Sequence, residues 1–236
     1  MSALWNFFSF NSNGVIAAQS RGALSILCMA LKSTPGILGS HLQDIVDIGF
    51  GRWAKEEPLL ARTACVALDR LSDEDKHKLR CGSVKIFSVL QSLLTGSWLP
   101  ENVWYAAADK AIKAIYSIHP TPEIFAAEVV KKSICSLFSY SGNDEMPTDA
   151  DNQDVNVSTV SAAKLGRCLF IISHVAFNQL VYIESCIHKL QKQKAKKEKS
   201  KLESEAAAGL STEASEVGFF FQYYDCPFFI FHFGQI

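Results

Sequence analysis

Apolar residues along this chain recur at spacings of three and four, and almost nothing alternates with the period of two that a half-buried strand requires. From Ala17 to Phe138 the pattern predicts successive helices joined by short turns. Leu24, Leu27 and Leu31 form one stripe, ended by Pro35-Gly36, and Leu38, Leu42, Ile45 and Gly49 form a second. A third, Leu60, Ala64, Leu68 and Leu71, follows Pro58, whose missing N–H costs nothing in a first helical turn. Ser72 and Asp75 make a capping arrangement for a short polar helix, and Val84, Phe87, Leu90 and Leu94 mark another, closed by Gly96 and Pro100. Val103 to Ile118 continues the series. Thr121-Pro122 then supplies the cap and first residue of a helix ending near Phe138. Residues 1–16 lack this period and are expected to be irregular.

Residues 140–158 are rich in Gly, Asn, Asp, Pro and Thr and read as a flexible acidic loop. A long helix is expected from about residue 159 to 201, because Leu165, Leu169, Ile172, Ala176, Leu180, Ile183, Ile187 and Leu190 keep one stripe. Within it, Cys168 to Ile183 is apolar around most of its circumference. That run falls short of the ~20 residues of a membrane span and contains His174, Asn178 and Gln179, so packed neighbours on two sides are expected. Residues 202–236 read as a disordered tail. Its last 18 residues hold seven of the chain's 16 phenylalanines without any helical or strand period. They read as translated noncoding sequence or a short terminal hairpin, while Asp225 and Pro227 oppose a membrane anchor.

Whether the helices of 17–139 close into a bundle or stack as an array turns on internal similarity. "SRGALSIL" (Ser20 to Leu27) matches "ARTACVAL" (Ala61 to Leu68) at a displacement of 41 residues, and Ala108 and Ile112 lie 44 beyond Ala64 and Leu68. Displacements of that size are those of HEAT or armadillo units. The expected fold is therefore all-α: a HEAT-type α-solenoid of stacked antiparallel helix pairs, with a long C-terminal helix. Each pair has an apolar face that it cannot bury alone, so its neighbour must cover it. Each fully buried Leu or Ile contributes ~1.5–3 kcal/mol to such a stack. On this reading Gly49-x-Gly51 ends one helix, Arg52 to Glu57 make the turn, and Pro58 begins the next. A phosphate loop would need further glycines or a Gly-Lys-Ser/Thr sequence, and neither follows.

The net charge of -1 conceals segregation. Residues 1–139 carry 14 basic and 12 acidic side chains, 140–163 none and five, 164–201 nine and two, and 202–236 none and five. The seven cysteines are scattered singly, as suits a reducing compartment, and most fall in apolar helical contexts as small hydrophobes. No serine-nucleophile elbow, His-Glu-x-x-His motif or isolated carboxylate pair is present, so no catalytic, metal or cofactor residue is assigned and no enzyme is expected. The six histidines stand apart from one another and are read as structural.

Basic residues offer the more plausible activity. Lys189, Lys192, Lys194, Lys196, Lys197, Lys199 and Lys201 create a strong positive field, read either as a solvated helix end or as a nuclear-import or phosphate-contacting segment. Arg52, Lys55, Lys131 and Lys132, with Lys110 and Lys113, are candidates to line one DNA-contacting surface of the array. Trp53, Trp98 and Trp104 flank turns, where edge packing is the first reading and a peptide anchor the second.

Long stretches carry a further signal. "HLQDIVDIGFGRWAKEEPLLARTACVALDRL", "WLPENVWYAAADKAIKAIYSIHPTPE" and "HVAFNQLVYIESCIHKLQKQKAKKEK", in that order, closely resemble the condensin subunit 1 family, the HEAT-repeat regulatory subunits of condensin I. The resemblance covers about residues 3–201 and is to an internal segment of a much longer chain; the aromatic end departs from it. It implies a non-enzymatic scaffold for mitotic chromosome condensation in dividing cells, working with a kleisin subunit, SMC-type ATPases and double-stranded DNA or chromatin. It implies no small-molecule substrate and no membrane. The implied location is the nucleus and mitotic chromosomes, with the cytoplasm in interphase. From the residues alone, a HEAT-type adaptor or transport module that binds peptides without DNA is the competing reading.

Overall fold

The computed structural model describes residues 1–30, 36–82, 84–138 and 162–207. These form ten α-helices and one short 3₁₀ turn, Gly39–His41, and no strand among the described residues. The helices are α1 Ser2–Phe8, α2 Ala17–Ala30, α3 Leu42–Gly49, α4 Trp53–Glu56, α5 Leu59–Asp69, α6 Asp73–Gly82, α7 Val84–Thr95, α8 Glu101–Ile118, α9 Pro122–Phe138 and α10 Ala162–Ala207. The chain divides into two units, Met1–Ile187 and His188–Ile236, and α10 contributes to both. The expected acidic loop 140–158 and the aromatic end lie outside the described residues.

The first unit is built on a row of helices. α2 packs on α5, and α5 packs on α8. These are the three segments that carry the repeated motif, and equivalent residues fill the core in each: Ala23 and Leu27, then Ala64 and Leu68, then Ala108 and Ile112. Polar ties between helix ends fix the direction of the row. The Arg70 guanidinium donates to the Cys28 carbonyl near the end of α2 at 3.0 Å. The Ser117 hydroxyl near the end of α8 donates to the Asp69 carbonyl at the end of α5 at 3.2 Å. The C-terminal ends of α2, α5 and α8 therefore lie together, so the three helices run parallel, as corresponding members of successive repeats must. Arg80 supplies a similar tie, donating to the Ile118 and Ser117 carbonyls at 3.0 and 3.2 Å.

α10 extends the row. Arg167 donates through Nε to Glu101 at 2.8 Å, His174 lies 3.4 Å from Asp109, and the Tyr116 hydroxyl donates to Gln179 at 2.8 Å. Contacts that advance together along both helices mean that α10 runs parallel to α8. The second layer carries α3 on α5, with α7 and α9 on each other and on α8. The array expected from the sequence is the fold observed: an all-α helical repeat solenoid.

The Gly49–Pro58 turn answers to packing. A Cβ on Gly49 would stand 2.4 Å from the Ala64 Cβ, so glycine lets α3 close onto α5. A Cβ on Gly51 would stand 2.1 Å from the Asp47 carbonyl oxygen. The intervening residues form the single-turn helix α4. The Ser72 capping arrangement is also present: its hydroxyl accepts from the Asp75 amide at 3.1 Å and donates to the Asp75 carboxylate at 2.6 Å.

Three expectations are corrected. Residues 1–16 are not irregular throughout, because α1 buries Trp5 and Phe8 while Asn6 and Phe7 face outward. The Ser20 hydroxyl holds the end of α1 by donating to the Phe8 carbonyl at 2.8 Å. The long helix extends past residue 201 to Ala207, into the segment expected to be a tail. Finally, among the described residues α10 is not covered on two sides. By length and composition it is the one helix among the described residues that could cross a membrane, yet only 6% of its apolar window is buried. The stripe read from the sequence is largely its open side: Leu165, Leu169, Ile172, Leu180, Ile187 and Leu190 are exposed.

Candidate nucleic-acid interface

The basic residues singled out by the sequence occupy three places. Arg52 and Lys55 belong to the Gly49–Pro58 turn, where both are exposed. The Arg52 guanidinium lies 4.4 Å from the centre of the Trp53 ring, which in turn stacks on Phe10 at 3.9 Å with the planes 11° apart. Phe10 adopts a left-handed backbone, φ 56°, to reach that position. Stacking of this kind holds a guanidinium in one orientation while leaving its N–H edges free to meet an anion.

Lys131 and Lys132 are exposed on α9. Lys132 donates to the Gln91 amide oxygen on α7 at 2.9 Å, which fixes its ammonium beside α7. α4 packs among α2, α3 and α5, whereas α9 packs on α7 and α8. The two basic pairs are therefore set on different parts of the array and do not adjoin. Lys110 and Lys113 are tied to carboxylates, at 2.8 Å from Asp109 and 3.5 Å from Asp69.

The lysines from Lys189 to Lys201 all lie on α10 within the second unit and all are exposed. At 100° and 1.5 Å per residue they span about 18 Å and surround the helix. Lys189, Lys192, Lys196 and Lys199 fall on one side, and Lys194, Lys197 and Lys201 on the other. Lys199 reaches Glu203 at 3.8 Å. Several pairs, such as Lys192 with Lys196 and Lys197 with Lys201, stand at the i,i+4 spacing where like charges each cost a few tenths of a kcal/mol, roughly 0.2–0.5. A polyanion on this segment relieves that repulsion and releases its own counterions.

The neutral candidates resolve as packing. Trp104 is fully buried and donates its indole N–H to the Leu93 carbonyl at 3.0 Å. His41 stacks on Trp5 at 3.8 Å, and His174 stacks on Phe170 at 4.0 Å. The Cys28 and Cys65 thiols are buried among apolar groups, and burial pushes the Cys28 pKa up to about 11 and raises that of Cys65 further. Cys135 departs from the expected pattern and is exposed. The arginines that matter most to the array, Arg70, Arg80 and Arg167, were not singled out in the sequence. Their only signal is a basic residue placed near helix ends, which many surface arginines share.

The fold thus defines a HEAT-type helical array with exposed basic groups. No protein-family profile matches the chain. Individual relatives do. The chain is 61% identical over 206 residues, 86% of its length, to condensin-1 complex subunit CAP-D2 of Arabidopsis thaliana. It is 24% identical over 84% of its length to condensin complex subunit 1 of Schizosaccharomyces pombe, and 23% identical over 70% to that of Homo sapiens. By sequence the chain is similar to one stretch of condensin subunit 1. It spans 15% of the Arabidopsis protein, 18% of the fission-yeast protein and 12% of the human one.

Proposed function

We propose that this chain is a non-enzymatic scaffold segment of condensin that contributes to mitotic chromosome condensation by contacting the kleisin subunit and duplex DNA. The observation that carries the reading is 61% identity to a condensin-1 subunit across 86% of the chain, in a fold whose surfaces suit macromolecular contact. The scaffold role is supported by the parallel row, which is held by core packing and by arginine ties to carbonyls. DNA contact is assigned first to Lys189, Lys192, Lys194, Lys196, Lys197, Lys199 and Lys201, whose charges have few local partners. Arg52, Lys55, Lys131 and Lys132 are secondary phosphate contacts at separate places. The partners are the kleisin and the SMC-type ATPases, and the location is the nucleus and mitotic chromosomes, with the cytoplasm in interphase.

The test is titration of duplex DNA into the full chain at two salt concentrations. Phosphate contact predicts that log affinity falls against log salt with a slope of about −0.9 for each phosphate neutralised. Replacing the seven lysines by glutamine should flatten that slope and weaken binding at low salt. An unchanged isotherm clears the cluster of the role. Binding too weak to measure even at low salt favours the peptide-adaptor reading. Co-purification with the other condensin subunits tests the scaffold assignment independently of DNA.

A further inference from the structure

The open side of α10 within the first unit is more than an unmatched apolar surface. Leu165, Leu169, Ile172, Ala176, Leu180, Ile183 and Ile187 follow one another at spacings of 4, 3, 4, 4, 3 and 4. Two eleven-residue periods of this kind keep side chains on one nearly straight line along the helix, over about 33 Å. All of these residues except the half-buried Ile183 are exposed. The face that meets α8 is a different one, made of Arg167, Phe170, His174 and Tyr182. In the row, α5 lies between α2 and α8, and α8 lies between α5 and α10. α10 has a row neighbour on its α8 side alone among the described residues.

The spacing reads the same in both directions about Ala176. Two copies of the helix laid antiparallel across a two-fold axis at that residue would oppose Leu165 to Ile187, Leu169 to Ile183, and Ile172 to Leu180. Every aliphatic residue of the seam then meets an aliphatic residue. The smallest side chain, Ala176, falls on the axis and meets its own copy where two helices must approach closest. This is the self-complementarity that an isologous interface demands. Charge does not oppose it, because the seam itself carries none, and Arg167 and His174 are engaged with Glu101 and Asp109 on the α8 side. Burying the exposed parts of both seams removes on the order of 1,000 Å² from water, the lower bound for a specific interface and consistent with micromolar association.

We propose that the chain forms a two-fold dimer through antiparallel pairing of α10 from two copies, centred on Ala176. The experiment is sedimentation velocity of the full chain from roughly 1 to 100 μM, the range in which such an interface would dissociate. Concentration-dependent conversion of monomer to dimer is expected. Leu180→Glu places two charges in the symmetric seam and should raise the dimer dissociation constant by about 100-fold or more. Because Leu180 is 67% exposed, helical content should be unchanged by circular dichroism. Val181→Glu, on the same helix but off the seam, should leave the dimer intact. Ala176→Cys, treated with a short bis-maleimide, should yield a peptide linking position 176 of one copy to position 176 of the other. A monomer at every concentration, a dimer indifferent to Leu180→Glu, or crosslinks from position 176 only to other sites would overturn the proposal. Flotation of a monomeric chain with anionic vesicles would overturn it in favour of a lipid surface.

Discussion

α8 and α10 are neighbours in one row and run in the same direction, yet they are held by different physics. α8 buries Trp104, Ala107, Ala108, Ala111, Ile112, Ala114, Ile115 and Ile118, which fill one broad arc of the helix about 160° wide. Its alanines permit a close approach to α5. Between Ala162 and Ile187, by contrast, α10 fully buries only Cys168 and Ile171. It reaches α8 through long side chains, with Phe170 edge-on to Trp104 and Tyr105 at 5.8 and 5.1 Å. Arg167 lies over the Trp104 ring at 4.8 Å and donates to the Gly96 carbonyl at 3.3 Å. The interior of the array rests on buried aliphatic volume, and α10 on aromatic edges and polar clasps.

The most forceful way to break that contrast is the same truncation in both places. Leu68→Ala, in the fully buried heart of α5, should cost about 2–5 kcal/mol and lower Tm by roughly 4–20 °C. Leu169→Ala removes the same atoms from a side chain that is 56% exposed, and in dilute solution should change stability by no more than about 0.5 kcal/mol. Thermal unfolding of the two variants side by side decides the matter. Equal losses would mean that the stripe on α10 is covered in solution and that the contrast is false.

The contrast also explains what the sequence could reveal. The α2, α5 and α8 repeat was legible because packing on both sides imposes the same small and aliphatic residues at the same register, so Leu27, Leu68 and Ile112 announce one another. The packed face of α10 was not legible. Arg167, His174 and Gln179 look like a polar surface until Glu101, Asp109 and Tyr116 are seen beside them, while the conspicuous leucine stripe suggests the wrong side. α1 was obscured similarly, since Asn6 and Ser9 interrupt the Trp5 and Phe8 signal and the holding bond comes from Ser20. For the candidate site, linear charge density exposed Lys189 to Lys201 as a group. It could not show that Arg52 and Lys55 occupy a part of the array apart from Lys131 and Lys132, because that separation belongs to tertiary packing.

A gentler perturbation sharpens the same contrast by attacking the clasps. Arg167→Ala removes the bond to the Gly96 carbonyl, the contact with Glu101 and the cation–π contact over Trp104. Its effect should be local: amide exchange in the first turns of α10 should quicken about tenfold, while exchange in α5 and the middle of α8 stays as it was. Uniform acceleration through α5 would show that α10 is integral to the central core. Arg167→Lys keeps the charge but loses the planar fork, and should recover only part of the protection.

The smallest effect is expected at the other end of α8, where the turn into α9 packs His119 against Phe87 at 4.5 Å and Phe125 at 4.8 Å. Its Nδ1 accepts from the Thr121 amide at 3.0 Å, an arrangement suited to the neutral ring. Burial lowers the His119 pKa from its ordinary 6.5, outweighing the upward pull of Glu123 and Glu128; nearby Arg80 pushes it the same way as burial. Between the depressed folded value and 6.5 the unfolded chain therefore binds more protons than the folded one. Stability should rise with pH through that window, be fully present above it, and diminish as pH falls through it. The measurement is a difference: the Tm gap between pH 7.5 and 5.5 should be about 1–2 °C narrower in His119→Gln than in the parent chain. An identical gap would mean that this turn opens readily to water, and the well-packed end of α8 would then resemble α10 more than α5.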